Sequence, residues 1–551
     1  MRLTREVMQQ LAPPNAPGSV GEPATVGPVR ARSVWGSGVI VMAIAVFVLV
    51  GCQDTNSTRR SQQRNSATAR TEMNEENLRY AFSVLRTTEE FQTADALKTV
   101  VDRLNQWIKH NPATDEWHAD PLVETLPEEL RGLPPLQSLG ALSFPLSDGA
   151  DLQLVVWLNE IANRARGADS QPIAIAQGLF DWVVRNIQIE RDTAAVVPYL
   201  ARDTLILGRG TAIDRAWLFV LLGRQQGLEI VMLALPGNEP GEALRPWLPA
   251  VLVDGELYLF DTRLGMPLPG PDGKPVATLK DLLADEKLLR NLDVDEQRIY
   301  PVKGADLEHV TALIEGSPMY ISRRMQLVGA DLPGKESLVL TVQPSRLAER
   351  VKAHPHIDTV NLWPLPYQRI DGLMKADRET QQKAQLDFAQ FQQPTPILWQ
   401  ARVLHLVGTL DGDKGANAQY QAARPPDADL KTYRAKAPEK DRERVEANLV
   451  QIRAAKQTAS YWLGLVAYER GNYGAAIDYL RTRTLEAFPD GPWTAGARYN
   501  LARAYEAQGQ TEEAIRYYRA DLSAQRNGNL LRARRLEESS KPSEAAQPTA
   551  D

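Results

Sequence analysis

The chain has 551 residues, 43% of them apolar and 24% charged, which is ordinary for globular protein and enough for about three or four folded units at ~150 residues each. A net charge of −6 supplies no basic face, so nucleic acid is excluded as a partner class. The single cysteine, Cys52, excludes an internal disulfide framework and any thiolate-built structural zinc cluster, and no cofactor or metal is expected.

The first 52 residues form an N-terminal extension and a signal or membrane segment. Val39 to Val50, "VIVMAIAVFVLV", is the one long apolar run; it follows Arg30 and Arg32 and ends in "LVGC" at Cys52. A basic flank, a short apolar core and small terminal residues have the form of an export signal. The Leu-Val-Gly-Cys ending resembles the bacterial lipobox, which implies lipidation of Cys52 and anchoring through its acyl chains. The alternative is an uncleaved transmembrane segment over 35–51, at the short limit of the ~17–25 residues that span a bilayer. Either anchor places the rest of the chain outside the cytoplasm, on the inner or the outer membrane. The Pro/Gly-rich residues 1–28 are unlike a signal n-region, and a start near Val29 would give a compact basic one, "VRARSVW".

Residues 53–77 lack apolar periodicity and are expected to be a flexible tether spanning about 25–30 Å as a coil. A helical region follows over 78–135, in which Leu97, Val100, Val101, Leu104 and Trp107 fall on one stripe, the signature of a packing face. A proline-rich stretch leads into a mixed α/β domain over 150–285. It has helical patterns at Leu152 to Ala165 and Ile173 to Asn186, then two strands, "WLPAVLV" and "ELYLF", joined by the hairpin signal Asp254-Gly255. A further loop carries Asp272-Gly273 at its tip. Residues 286–385 form another mixed region, with a strand expected at "ESLVLTV" and a helix at "PSRLAERVKA".

Helices dominate 386–535, and 536–551 reads as a disordered tail. Within the helical part, "YWLGLVAYERGNYGAAIDYL" superposes on "RYNLARAYEAQGQTEEAIRYY": Leu463 on Leu501, Gly464 on Ala502, Gly471 on Gly509, Ala476 on Ala514 and Ile477 on Ile515. Small residues where paired helices touch and a glycine at the turn resemble the tetratricopeptide repeat, which implies a concave protein-binding surface. The offset of 38 exceeds the usual 34, and "FPDGPW" is the expected seat of the extra residues. Two repeats fall below the ~3 needed for a stable stack, so neighbouring helices must extend or cap it.

In the middle domain, "IAIAQGLFDWVVRNIQIERD", "GRGTAIDRAWLFVLLGRQQGLEIVML" and "VLVDGELYLFDTRLG" follow one another. Trp182, Val183, Asn186 and Ile187, then Gly210, Ala216, Leu218 and Phe219, carry a resemblance to the bacterial transglutaminase-like domain over about 165–265. That resemblance implies a papain-like α/β core with a cysteine at a helix start, a histidine base and an orienting aspartate. The cysteine position falls on Ala212, the histidine position near Arg245 to Leu248, and the aspartate position on Asp261. None of the six histidines lies in the matched segment. The resemblance therefore implies a pseudoenzyme; Thr211 offers a hydroxyl, but nothing in the segment would deprotonate it.

The expected architecture is multidomain and mostly α, with a transglutaminase-like α/β middle and tetratricopeptide-type helices. A degenerate groove lined by Arg209, Asp214, Arg245, Trp247 and Asp261 could persist for peptide binding, whereas Trp182 and Trp217 are assigned to the core. "HPHID" at His354 and "DGDKGAN" at Asp411 are too incomplete for metal sites and read as structural. The leading functional expectation is a membrane-anchored envelope lipoprotein that binds or scaffolds proteins without catalysis. An envelope peptidase or amidase with its nucleophile outside the motif, and a plain spacer between membrane and wall, are the alternatives.

Overall fold

The computed structural model describes residues 75–540, apart from 88–93, 112–115, 192–196, 238, 240–241, 333–337 and 393–394. The signal segment, Cys52, and residues 1–74 and 541–551 lie outside the described residues. Helix α1 (75–86) and α2 (Ala94–His110) open the fold. The α2 stripe of Leu97, Val100, Val101, Leu104 and Trp107 is buried as its spacing requires. The helix thus begins at residue 75, inside the stretch expected to be tether.

Next come α3 (Leu146–Ala165), α4 (Pro172–Asn186), β1 (Gln188–Ile189), α5 (Ala201–Leu207), β2 (Arg209–Gly210) and α6 (Ala212–Gln225). Strands β3 (Glu229–Leu235), β4 (Arg245–Val253), β5 (Glu256–Asp261) and β6 (Met266–Pro267) form an antiparallel meander. Asp254 (φ 51°) and Gly255 (φ 81°) make the β4–β5 turn, both in the left-handed region that a two-residue hairpin demands. After α7 (Leu279–Ala284), strand β7 (Val310–Ile314) pairs antiparallel with β3. Past α8 (Arg323–Asp331) and α9 (Pro344–Lys352), β8 (Ile357–Leu362) pairs parallel with β7. The six-stranded order is β6-β5-β4-β3-β7-β8.

Two strands of the 286–385 region thus complete the sheet of the 150–285 region, so residue 285 is no domain boundary. The expected strand at "ESLVLTV" is absent from 338–342, which joins no ladder. The side-chain amide of Gln225 instead pairs with both the N–H and the C=O of Val339, standing in for a neighbouring strand.

The sheet is covered on both faces. Ile230, Met232, Val251, Phe260 and Leu313 face α3, α4 and α6, while Val231, Leu233, Leu248, Leu259 and Ala312 face a leucine-rich layer from 122–139, α7 and α9. Full burial on both sides explains why β3 reads as an unbroken apolar run rather than an alternating one.

Further along the chain come α10 (Leu365–Met374), α11 (Arg378–Phe388), α12 (Pro396–Leu406), α13 (Ala416–Ala422), α14 (Asp427–Ala435) and the 28-residue α15 (Arg442–Glu469). Then come α16 (Tyr473–Ile477), continued by wider π-type turns over Asp478–Glu486, α17 (Thr494–Ala507), α18 (Thr511–Arg519) and α19 (Arg526–Ser540). The end of α15 with α16, and α17 with α18, are the two repeats. Gly471 (φ 71°) and Gly509 (φ 73°) sit in their turns, and a side chain at Gly464 would collide with Leu480. The "FPDGPW" loop does more than absorb length: it delivers Trp493 to stack on Tyr461 at 4.7 Å. Helices α12–α13 and α19 flank the repeats as the extension and cap that two repeats require. Because α19 runs to Ser540, residues 536–540 belong to a helix rather than to a disordered tail.

One hydrophobic core runs from α1 through the sheet helices into the repeats, without a break between domains. Around it lie partly buried ion pairs joining α4 to the repeats. Asp181 accepts from Arg185 at 3.0 Å and pairs with Arg503. Glu469 accepts from Asn186 at 3.2 Å and lies 3.5 Å from His405. Burial alone would raise both carboxyls. Arg503 and Arg185 instead hold Asp181 well below the usual carboxylate range, and His405, Arg164 and Arg185 hold Glu469 down at about 2.

Two predictions follow from this packing. A Cβ at Gly528 would lie 1.8 Å from the Leu264 carbonyl oxygen, so Gly528→Ala should cost about 1–3 kcal/mol and lower the thermal midpoint, while Gly132→Ala, with open space around it, should not. Carboxyls with depressed folded values stabilise fully above their unfolded value and lose that contribution as pH falls. The midpoint should therefore drop as pH falls from about 4.5 toward 2, and Glu469→Gln should flatten that slope; thermal unfolding across pH reads both.

Candidate functional site

The start of α6 is the expected nucleophile mount. Gly208 ends α5 in the left-handed region (φ 67°), and a side chain there would lie 3.2 Å from Trp462 Nε1. Gly210 is equally confined, by Asp214 and Thr204, each 3.1 Å from its missing Cβ. The short parallel pair β1–β2 carries the chain to Thr211, which caps α6. Thr211 N and Oγ1 donate to Asp214 Oδ2 at 2.9 and 2.8 Å, and Asp214 N donates back to Thr211 Oγ1 at 3.4 Å. This reciprocal cap satisfies the first turn of the helix.

The other oxygen of Asp214 accepts from Arg369 of α10 at 2.6 Å. Arg209 donates to Asp387 of α11 at 2.6 Å and lies 3.6 Å from Glu190, and Asp387 also accepts from the Tyr199 hydroxyl. Helices α10 and α11 therefore close over the mount. Ala212 is 8% exposed, Thr211 5% and Asp214 4%, so no open groove stands above this helix start. The Thr211 hydroxyl does have a carboxylate beside it, which sequence spacing alone overlooked as a base. That carboxylate is committed to the cap and to Arg369.

Asp261 lies elsewhere. Phe260 points toward α4 and α6, its ring 5.2 Å from those of Phe180 and Phe219. Asp261 points to the opposite face, with Leu257 and Leu259. Its Oδ1 accepts from Arg263 N and Leu264 N, both at 2.8 Å, and its Oδ2 accepts from the Tyr300 hydroxyl at 2.7 Å. Tyr300 in turn accepts from Trp247 Nε1 at 2.8 Å. Burial pushes the Asp261 carboxyl up and the Tyr300 hydroxyl well above its usual value.

The strand that would carry a histidine explains this arrangement. Pro246 and Pro249 lack donors, and the β4–β5 ladder stops at the pair Ala250–Leu259. Along β3, a bulge between Leu233 and Ala234 leaves Trp247 out of the ladder and aimed at the Tyr300 side. Arg245 donates to the Pro236 carbonyl at 2.8 Å and reaches Asp306 at 3.4 Å.

The five expected groove residues are thus split up: Arg209 and Asp214 lie on the helix side, Trp247 and Asp261 join through Tyr300 beyond the sheet, and Arg245 is tied to Pro236 and Asp306. No single groove gathers them, because Arg209 and Asp214 are tied to α11 and α10 while Asp261 is tied to Tyr300 on the other face of the sheet.

Trp182 and Trp217 are core residues as expected. The residues that sequence reading missed are buried cations. Arg215 is 1% exposed and donates to the carbonyls of Val184, Ile187 and Thr262 and to Gln525 Oε1, at 3.2, 2.8, 3.2 and 2.7 Å. Arg402 donates to the Leu205 carbonyl and lies 4.6 Å from the Trp462 ring centre. The available signal was an arginine inside a helix that is apolar all round, which must be buried and fully partnered.

Through these contacts the first helices of both repeats face inward. Asn500 donates to the Arg185 carbonyl at 3.0 Å, Gln188 accepts from Gly496 N at 2.8 Å, and Gln188 Nε2 donates to the Pro492 carbonyl at 2.8 Å. The repeat face expected to be free for partners holds the chain's own α4 and β1. Among the described residues no group of three potential ligands could hold a metal ion; His354 and His356 meet edge to face at 5.7 Å, and Asp411 pairs with Arg470.

A family model described as tetratricopeptide repeat matches residues 457–527, in register with the two helical pairs seen here. No curated protein and no solved structure matches the chain. The C-terminal part therefore carries tetratricopeptide repeats, a fold used in protein–protein interaction, on a mostly helical chain with a mixed sheet in its middle.

Proposed function

We propose that this chain is a membrane-anchored envelope lipoprotein whose folded part is a non-catalytic scaffold. The observation that carries this reading is the sealed start of α6: an alanine stands at the nucleophile position, its neighbours are spent on a helix cap, and Arg369 and Asp387 are clamped over it. A transglutaminase-like ancestry accounts for the strand–helix–strand order and for the helix packed on an antiparallel meander. The orienting aspartate has been recruited to fold the 261–265 turn and hold Tyr300. The tetratricopeptide repeats then serve as the binding element, with the chain's own α/β part as their first partner. Anchoring rests on "LVGC" at Cys52 and the apolar run before it; among the described residues no helix is long and apolar enough to cross a membrane.

Two measurements test the reading. Cys52→Ser should abolish incorporation of labelled fatty acid and move the protein from the membrane to the soluble fraction; an unchanged distribution would favour the 35–51 transmembrane anchor. In that background Ala212→Cys provides the sole thiol. It should react with a maleimide about a hundredfold more slowly than Leu522→Cys, since Leu522 is 63% exposed, and should confer no amidase or protease turnover. Rapid labelling together with turnover would replace the scaffold with an enzyme.

A further inference from the structure

A cavity of about 480 Å³ opens at the far end of α6, away from Ala212. Its apolar wall is made by Val220, Leu228, Ile230, Val342 and Leu347, and its polar rim by Thr341, Gln343 and the arginines of α6 and α9. The volume falls within the ~300–1,000 Å³ of small-molecule sites, and the lining divides about evenly between apolar side chains and polar or charged ones.

The charges in this cavity do not cancel. Glu315 is paired with Arg224, and it also accepts from Trp217 Nε1 at 3.3 Å and from Ser317 N at 3.0 Å. Arg224 further donates to the Glu315 carbonyl at 2.8 Å and stacks 4.2 Å from the Tyr320 ring centre. Glu229 is paired with Arg350. That leaves Arg346, which among the described residues has no hydrogen-bond or ion-pair partner. It sits in the first turn of α9, where the Ser345 N–H is already capped by the Asp120 carboxylate at 3.0 Å, so the guanidinium itself is what an anion would meet.

We propose that this cavity binds a carboxylate with a branched apolar group beside it, the carboxylate meeting Arg346 and the apolar group lying against Leu228, Ile230 and Val342. A free amino-acid derivative and the C-terminus of a peptide share that chemistry. Both carboxylates lining the cavity are paired with arginines, so an incoming anion meets one unpaired guanidinium there. Arg346 supplies the planar fork suited to a carboxylate, and Gln343 and Thr341 supply further polar groups at the rim.

Calorimetric titration of the intact folded chain with N-acetyl-leucine, N-acetyl-leucine amide and a pentapeptide ending in leucine tests this. Saturable binding of the acid is expected, with the uncharged amide at least about tenfold weaker and Arg346→Ala reducing acid binding to the level of the amide. Because Arg346 is exposed, its replacement should leave the thermal midpoint unchanged. Tighter binding of the pentapeptide than of N-acetyl-leucine would identify a chain terminus as the source, and the reverse a small molecule. Equal binding of acid and amide, no saturable binding of any probe, or binding indifferent to Arg346→Ala would overturn the proposal.

Discussion

A guanidinium shut away from water must have its hydrogen bonds supplied by protein, and Arg215 takes four of them from three separate pieces of the chain. The carbonyls of Val184 and Ile187 come from the end of α4, that of Thr262 from the turn after β5, and the Gln525 amide from the loop before α19. No carboxylate balances the charge among these contacts, so geometry alone meets the desolvation cost of the ion. The α6 helix, the sheet and the repeats must consequently sit in one relative position for Arg215 to be tolerated. The same demand recurs at Arg402, whose guanidinium rests on a carbonyl of α5 and the ring of Trp462. Buried cations of this kind add little net stability, but they penalise every arrangement except the native one.

This constraint changes what the repeats are for. Stacked helical pairs ordinarily present the inner face of their first helices to another chain. Here Tyr461, Asn500, Gly496 and Arg503 present that face to α4 and β1, and Trp493 is drawn in from the inter-repeat loop. An outside protein would meet the second helices, α16 and α18, or the long α15, and not the face that sequence similarity makes familiar.

Much of this was legible in the residues, and the illegible part has a common cause. Local signals held: the α2 stripe, the Asp254-Gly255 turn, the glycines at 471 and 509 and the small residues between paired helices all reported correctly. Each is decided within a few positions of itself. The missed features depend on residues far away in sequence. Val310–Ile314 and Ile357–Leu362 are short apolar runs whose partner is β3, and nothing nearby distinguishes them from helix cores. The site residues show the same divide. Arg209 and Asp214 stand beside Ala212 in sequence and in the fold, but their partners Asp387 and Arg369 come from more than a hundred residues away. Motif order points to Asp261 but does not reveal the face of the strand its side chain takes. Two prolines in β4 held that information, since a central strand carrying them cannot pair continuously on both sides.

The order of the sheet has one more consequence, for how the chain reaches its native state. Strands β3, β4 and β5 are neighbours in sequence and can pair as soon as they are made. The other edge of β3, however, waits for Val310, 75 residues beyond Leu235, and β7 in turn waits for Ile357. Closure over such separations is slow, because the chain loses loop entropy before the contacts repay it. During that interval the unbroken apolar run "EIVMLAL" has an open, hydrogen-bond-hungry edge. Until β7 arrives, that edge is a template on which another copy of the chain could pair.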